Sequence, residues 1–444
     1  MGGCIDDELL KTVENEKNKW RHILKVIIDA ILHCIKNNDA LRGTSEIIGH
    51  PNCGRLLNTI ELISHYDNVI KTHIETHNKG KLSYFSSGIQ NELIGLAATK
   101  VRRHIIKDIK DAKYFSISID CTTDVAHREQ MVQIKRYVHI DSNKKCSIKE
   151  SFIDFINTRE KTGEGLAKEI VEKLIADGLD INNLRGLSYD KAANMAGKYK
   201  GVQARILMLN DNAKFIPCTA HSLNLVGVHA AEVNPHMETF FATVQQIYNF
   251  FVGSSSKWEL LKTEVDLTLK GFCDTRWSSK ANAVHSLKSQ LGKIIEILRK
   301  LKELSLVNLI SNYEFIIYLN FWDILLSKIN RINQSLQEKQ LDISKSSRMI
   351  LGLLNELKAY RENFFPSLME FSEIEADKIG IEAILHESRK RKKPKMSGEL
   401  ASDEAYLFDA NAKLRIGIFQ VLDKTIMEMG KRFVALKEVA DNFF

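Results

Sequence analysis

Two aspartates in this 444-residue chain close short runs in which apolar and small residues alternate. Asp120 ends YFSISID, residues 114–120, and Asp190 ends LRGLSYD, residues 184–190. A period of two is the signature of a strand with one buried face, so each acid lies where a strand leaves the core. A lone acid at a strand end is ordinarily a cap or a turn residue. Two acids brought to one edge do more: paired carboxylate oxygens hold Mg2+ or Mn2+, hard ions that polarise a phosphodiester and activate water or a hydroxyl. Asp124, just after the first run, either shares such an ion or caps the turn that follows, and the turn is the expected role.

Whether the two acids meet depends on the order of the elements. From Val13 to Lys110, WRHILKVIIDAILHCI, LLNTIELISHYDNVIKTHI and IQNELIGLAATKVRRHIIKDI carry apolar residues at helical spacing, which predicts an all-α N-terminal domain over residues 1–110. LRGTSEIIGHPNCG between the first two runs has the composition of a loop. At Tyr114 the period becomes two, and YFSISID, EQMVQIKRYVHID and CSIKESFIDF read as three strands, the last two joined by a polar hairpin over Asp141 to Lys144. A helix, GLAKEIVEKLIADGL, closes on Gly178; then come the strand LRGLSYD, the helix AANMAGKYKGVQARILML, the strand FIPC and helical sequence from HSLNLV onward.

The order βββαβαβα predicts an α/β fold: a ribonuclease H-like mixed five-stranded sheet in which strands one and four run side by side in parallel. Asp120 and Asp190 then share the carboxyl edge of the sheet. Residues 111–284 are assigned to this core and 285–385 to a large α-helical insertion with apolar faces such as NYEFIIYLNFWDILLSKI. Residues 386–403 form a basic linker, and 404–444 an incomplete C-terminal stretch whose helix looks uncapped.

Composition narrows the partners. A formal charge of +7 favours an anionic partner such as nucleic acid, weakly. Seven widely spaced cysteines with no Cys-x2-Cys pair point to a reducing compartment and exclude a self-contained zinc finger. The start lacks a secretory signal, and no window approaches eighteen unbroken apolar residues, so no membrane partner is expected. Gly163 and Gly165 open a helix without the Gly and Lys of a nucleotide loop, and no Ser-His-Asp or Rossmann pattern is present.

With both acids placed, the chain resembles the catalytic core of hAT-superfamily transposases, most closely the transposase-derived region of MYM-type zinc-finger proteins. The resemblance rests on GIQNELIGL, SIDCTTDVAHREQM, GLSYDKAANMAGKYKGVQARI, PCTAHSLNLV, DTRWSSK and MEMGKRF, in this order over nearly the whole chain. It implies that Asp120 and Asp190 are the first two metal-binding acids, with Mg2+ or Mn2+ as cofactor if the site is active and none otherwise. It implies further that Cys218 and His221 form a Cys-x2-His element beside them, and that Arg276 and Trp277 form an Arg-Trp pair whose Trp handles DNA. The family's third acid, a glutamate beyond the helical insertion, has no counterpart; Glu428 in MEMGKRF matches an element upstream of it. The C-terminal dimerisation segment of complete members is not found either, which leaves homo-oligomerisation open. Cys121 stands where the family has an acid, and Lys191 stands where it has Gly, next to a metal-binding carboxylate that a lysine would pair with.

Several residues keep two readings at this stage. Cys218 and His221, with Cys273 and His229, supply zinc ligands, or the first two form a buried structural pair. Trp277 stacks on an unpaired base or anchors its helix on the sheet. Arg389, Lys390, Arg391, Lys392, Lys393 and Lys395 form a nuclear-import signal, or a solvated linker. The expectation is a transposon-derived, DNA-associated nuclear protein without transposition activity. A domesticated scaffold for nuclear proteins and a fragment of an active metal-dependent transposase are the alternatives, the last with its glutamate encoded downstream.

Overall fold

The computed structural model describes residues 3–77, 83–124, 127–189, 193–197, 199–273, 277–338, 341–386 and 409–441. The chain divides into two compact units, residues 1–108 and 109–444.

In the first unit, α1 (Gly3–Lys36) and the start of α4 (Ser87–Ala112) are helices that the periodicity predicts, whereas the single run LLNTIELISHYDNVIKTHI is two helices, α2 (Arg55–Ser64) and α3 (Asn68–His77). Ile23, Ile27, Ala30 and Cys34 of α1 recur at three- and four-residue steps and bury one face against Leu56 and Ile60 of α2 and Ile70 of α3. The loop before α2 closes on itself: Gly54 has φ +85°, and a Cβ there would lie 2.3 Å from the Gly43 amide, so only glycine fits. Asp67 starts α3 by accepting the amides of Val69 and Ile70 at 2.9 and 3.1 Å. Burial works against its charge, yet a hydrogen bond from His22 and these amides hold its carboxyl below the usual aspartate value.

The second unit is built on a five-stranded sheet of order β3-β2-β1-β4-β5, the arrangement expected from the element order. Its strands are β1 (Phe115–Thr123), β2 (Glu129–Ile140), β3 (Cys146–Asn157), β4 (Leu184–Ser188) and β5 (Lys214–Phe215). β1, β2 and β3 are antiparallel; β4 runs parallel to β1, and β5 to β4. Phe115, Ile117 and Ile119 are buried while Ser116 and Ser118 alternate with them on the other face. The β2–β3 hairpin turns on Asp141, whose carboxylate accepts the amides of Asn143 and Lys145, both at 2.8 Å. α5 (Gly163–Ala176) is capped by Thr162, which accepts the Gly165 amide, and ends at Gly178 with φ +64°.

The helix expected over 192–209 is two: α6 (Ala193–Ala196) and α7 (Val202–Leu209). Gly197 and Gly201 pack so closely that a Cβ on Gly201 would sit 2.4 Å from the Gly197 amide, and two glycines weaken a continuous helix.

Beyond the sheet the chain is helical: α8 (Thr219–Ala231), α9 (Pro235–Val252), α10 (Ser255–Glu264), α11 (Trp277–Lys288), α12 (Leu291–Lys300), α13 (Leu304–Ile310), α14 (Tyr313–Ser335), α15 (Ile343–Lys378), α16 (Ala410–Arg432) and α17 (Val434–Asp441). α14 runs through the middle; Phe315 to Leu319, then Phe321, Trp322, Leu325 and Leu326, are all buried, as expected of a helix apolar on nearly every side. Among the described residues, one continuous apolar core links α8 to α17. α16 is also capped, contrary to expectation: the Asp409 carboxylate accepts the Ala412 amide at 2.6 Å. Among the described residues no helix is long and apolar enough to cross a membrane.

Candidate active edge of the sheet

The carboxyl edge of the sheet is assembled from β1, β4 and the entry to α8. Asp120 is an exposed residue of β1, opposite Val132 of β2. The last described pair between β1 and β4 is Ser118 with Ser188. Two positions further along the strands are Asp120 and Asp190, the second of which lies outside the described residues, as does Lys191. Tyr189, next to it, is buried with its ring against Phe215 at 4.7 Å, and burial pushes its phenol far up, so it stays neutral.

Past the end of β5 the parallel ladder continues: Ile216 donates its amide to the Leu187 carbonyl at 2.9 Å, and Cys218 donates to Tyr189 at 3.0 Å. Cys218 is therefore held against the end of β4 and is the residue from which α8 starts, with His221 in the first turn. The Cys-x2-His element thus follows directly on the end of β4. Both side chains are half-buried. Among the described residues no group of three His, Cys, Asp or Glu side chains could hold a metal ion, and none of the described cysteines is in a disulfide. A closed zinc site of Cys218, His221, Cys273 and His229 is not formed, since His229 faces a glutamate instead. Asp124 acts as the turn residue it was expected to be: its carboxylate accepts the Arg128 amide at 2.8 Å and the Gln130 side chain at 3.2 Å.

Trp277 was open to two readings, and its surroundings fit the packing one. It is 2 % exposed. Its ring lies on α8 over Gly227, where a Cβ would come within 2.1 Å, and it meets the rings of Trp322 at 5.7 Å and Phe241 at 6.5 Å. Its amide donates to the Asn224 side chain at 3.2 Å, which fixes the first turn of α11 to α8. In this state the indole offers no face to a base. Arg276 lies outside the described residues, as do the basic residues 389–395.

Glu428 of α16 is nearly enclosed and has three basic side chains as neighbours: Arg432 at 2.9 Å, His229 of α8 at 3.5 Å and Lys424 at 3.6 Å. Burial alone would raise its carboxyl; Arg432 foremost, then His229 and Lys424, bring it below the ordinary glutamate range. His229 stands eight residues after His221 on one helix, a rise of about 12 Å. Glu428 is thus set well back along α8 from the edge that carries Asp120. Gly227 and Asn224 were not legible as the seat of Trp277; a glycine inside the apolar run SLNLVGV was the one available cue.

Part of this chain is matched by a known family. Residues 3–201 match the family DUF4371, described as ZMYM1/FAM200, RNase-like domain. The match supports the resemblance to the transposase-derived region of MYM-type zinc-finger proteins. The RNase-like match ends before β5, so residues beyond 201 supply the last strand and the helical body. Among curated proteins, the chain is 22 % identical over 391 residues to the human protein named 52 kDa repressor of the inhibitor of the protein kinase, covering 80 % of this chain and 50 % of that protein. It is 21 % identical over 311 residues to the mouse protein of the same name, covering 62 % and 39 %. The chain spans half or less of the length of these relatives.

Proposed function

We propose that this chain is a transposase-derived protein that keeps the RNase-like sheet and its first acid, and that it associates with DNA in the nucleus without cutting it. The observation that carries this reading is the position of Glu428, paired with Arg432 and His229 about two turns back along α8. A cutting centre needs a third carboxylate beside Asp120 and Asp190, and two alone hold a hard divalent ion loosely. Lys191, next to Asp190, further disfavours a cation there. If a divalent ion does bind, Asp120 and Asp190 are the residues to hold it, and it would supply activation of water on a phosphodiester. The charge of +7 and the basic residues 389–395 favour phosphate contacts and import into the nucleus.

Fluorescence anisotropy of a labelled random duplex against the full chain, at rising salt, tests the association. The expected result is binding whose affinity falls steeply and linearly on logarithmic axes as counterions are released. No binding at low salt, or binding indifferent to salt, would overturn it.

A second reading, a scaffold for nuclear proteins, is favoured by the relatives, whose name describes a repressor of the inhibitor of a protein kinase. It predicts an apolar contact that persists at high salt.

A further inference from the structure

Where β1 and β4 run side by side, Ser116 is paired with Gly186. Both are small, and a Cβ on Gly186 would come within 3.0 Å of the Ser116 Cβ, so the sheet at this point has little to fill the space above it. The first turn of α15 and the last turn of α17 roof that space and leave a cavity of about 360 Å3, within the range of small-molecule sites. Its walls include Val138, Ile148, Ile216, Ile343 and Val439. It lies near the start of β1, whereas Asp120 lies four residues on, a distance of about 13 Å along a strand, so the cavity is separate from the acid edge.

The charges around it are one-sided. Arg136, Arg185 and Lys214 line the cavity, and Asp342 is the one carboxylate among the lining residues. Asp342 is occupied in capping α15, where it accepts the Lys345 amide at 2.6 Å. Arg136 is paired with Glu150 at 2.8 Å. Arg185 donates to the Asn182 and Leu184 carbonyls at 2.7 and 3.1 Å and lies 4.3 Å from the Tyr114 ring centre. Lys214 reaches only the Asp211 carbonyl, at 3.5 Å. Among the described residues, then, Arg185 and Lys214 have carbonyl partners and no carboxylate. The same positive field acts on Tyr114, whose phenol is drawn below the ordinary tyrosine value by Lys113 foremost and by Arg185. The amino end of α15 adds its positive dipole.

We propose that this cavity binds a small amphipathic anion, with its apolar body over Ser116 and Gly186 and its carboxylate or sulfonate at Arg185 and Lys214. An apolar molecule without charge would leave the two cations facing its surface, and a small hydrophilic anion would leave the walls unfilled.

The test uses the full chain and anilinonaphthalene sulfonate, an apolar body with one sulfonate, followed by fluorescence with dodecanoate and dodecanol as competitors. Saturable single-site binding is expected, displaced by dodecanoate and at least about tenfold less well by dodecanol, the loss that one charge-assisted contact represents. Arg185→Gln with Lys214→Gln should weaken the probe by about tenfold or more, and Ser116→Phe, which fills the cavity, should abolish binding. Because Ser116→Phe can also unseat α15 or α17, melting and circular dichroism accompany it, and the double glutamine variant decides. Unchanged affinity in that variant, equal displacement by dodecanol, or no saturable binding by the wild-type chain would overturn the proposal.

Discussion

If Trp277 is a packing residue, its energetics must be coupled to Gly227. Trp277→Ala removes a ring that is almost wholly buried against α8, Phe241 and Trp322, and truncating such a ring costs about 3–5 kcal/mol. Gly227→Ala places a methyl group where the indole is, 2.1 Å away by ideal geometry; overpacking of this kind costs about 1–3 kcal/mol, offset by a gain of about 1 kcal/mol in helix propensity. Once the ring is gone the clash goes too, and Gly227→Ala should stabilise by that propensity gain alone. The double-mutant cycle therefore predicts a coupling of about 1–3 kcal/mol in which the second substitution relieves the first. Urea unfolding followed by far-ultraviolet circular dichroism measures it without relying on tryptophan fluorescence, and the effect should appear in the transition of residues 109–444. Equal effects of Gly227→Ala in both backgrounds would refute the packing argument. So would a Trp277→Ala variant of undiminished stability that has lost DNA affinity, because that is the signature of a ring stacking on a base.

Glu428→Gln should cost about 1–3 kcal/mol, since it leaves Arg432 and His229 without their carboxylate. Because the folded carboxyl is depressed, the stability it contributes is present above the unfolded glutamate value and is lost as pH falls through the lower folded value; urea unfolding at several pH values should show the variant lacking that acid-side decline. Asn234→Ala should cost about 1–2 kcal/mol. It removes both the cap on α9, where Asn234 accepts the Met237 amide at 3.1 Å, and the tie to the Gly417 carbonyl on α16 at 3.3 Å. Hydrogen exchange should rise at both helices, and Asn234→Ser should restore only α9.

The sheet was legible because its signals are local. The change of period at Tyr114, the polar hairpin over Asp141 to Lys144 and the βα units that follow leave one common topology, and the observed strand order is that one. Asp120 was placed less well: alternation read it as the strand end, whereas β1 continues through Cys121, Thr122 and Thr123, which stay paired to β2, and Asp120 lies just past the last described β1–β4 pair. The partners of long helices could not be read. An amphipathic pattern says which face is buried and not what buries it, so α16 read as a separate C-terminal helix while its Glu428 pairs with α8. Trp277 followed a similar logic, since a tryptophan at the start of a helix reads alike whether it faces solvent, DNA or a glycine across the core. The cavity over Ser116 and Gly186 was invisible because it arises from two small residues of strands far apart in sequence, paired by the β1–β4 register.

The central claim is that this transposase-derived core no longer cuts DNA, and a nicking assay of supercoiled DNA by the purified full chain in Mn2+ tests it most directly, with Asp120→Ala and Asp190→Ala beside it. The account predicts no cleavage above the level of either variant, with all three proteins folded by circular dichroism. Cleavage by the wild-type chain that both substitutions abolish would contradict it, and would mean that another carboxylate completes the centre.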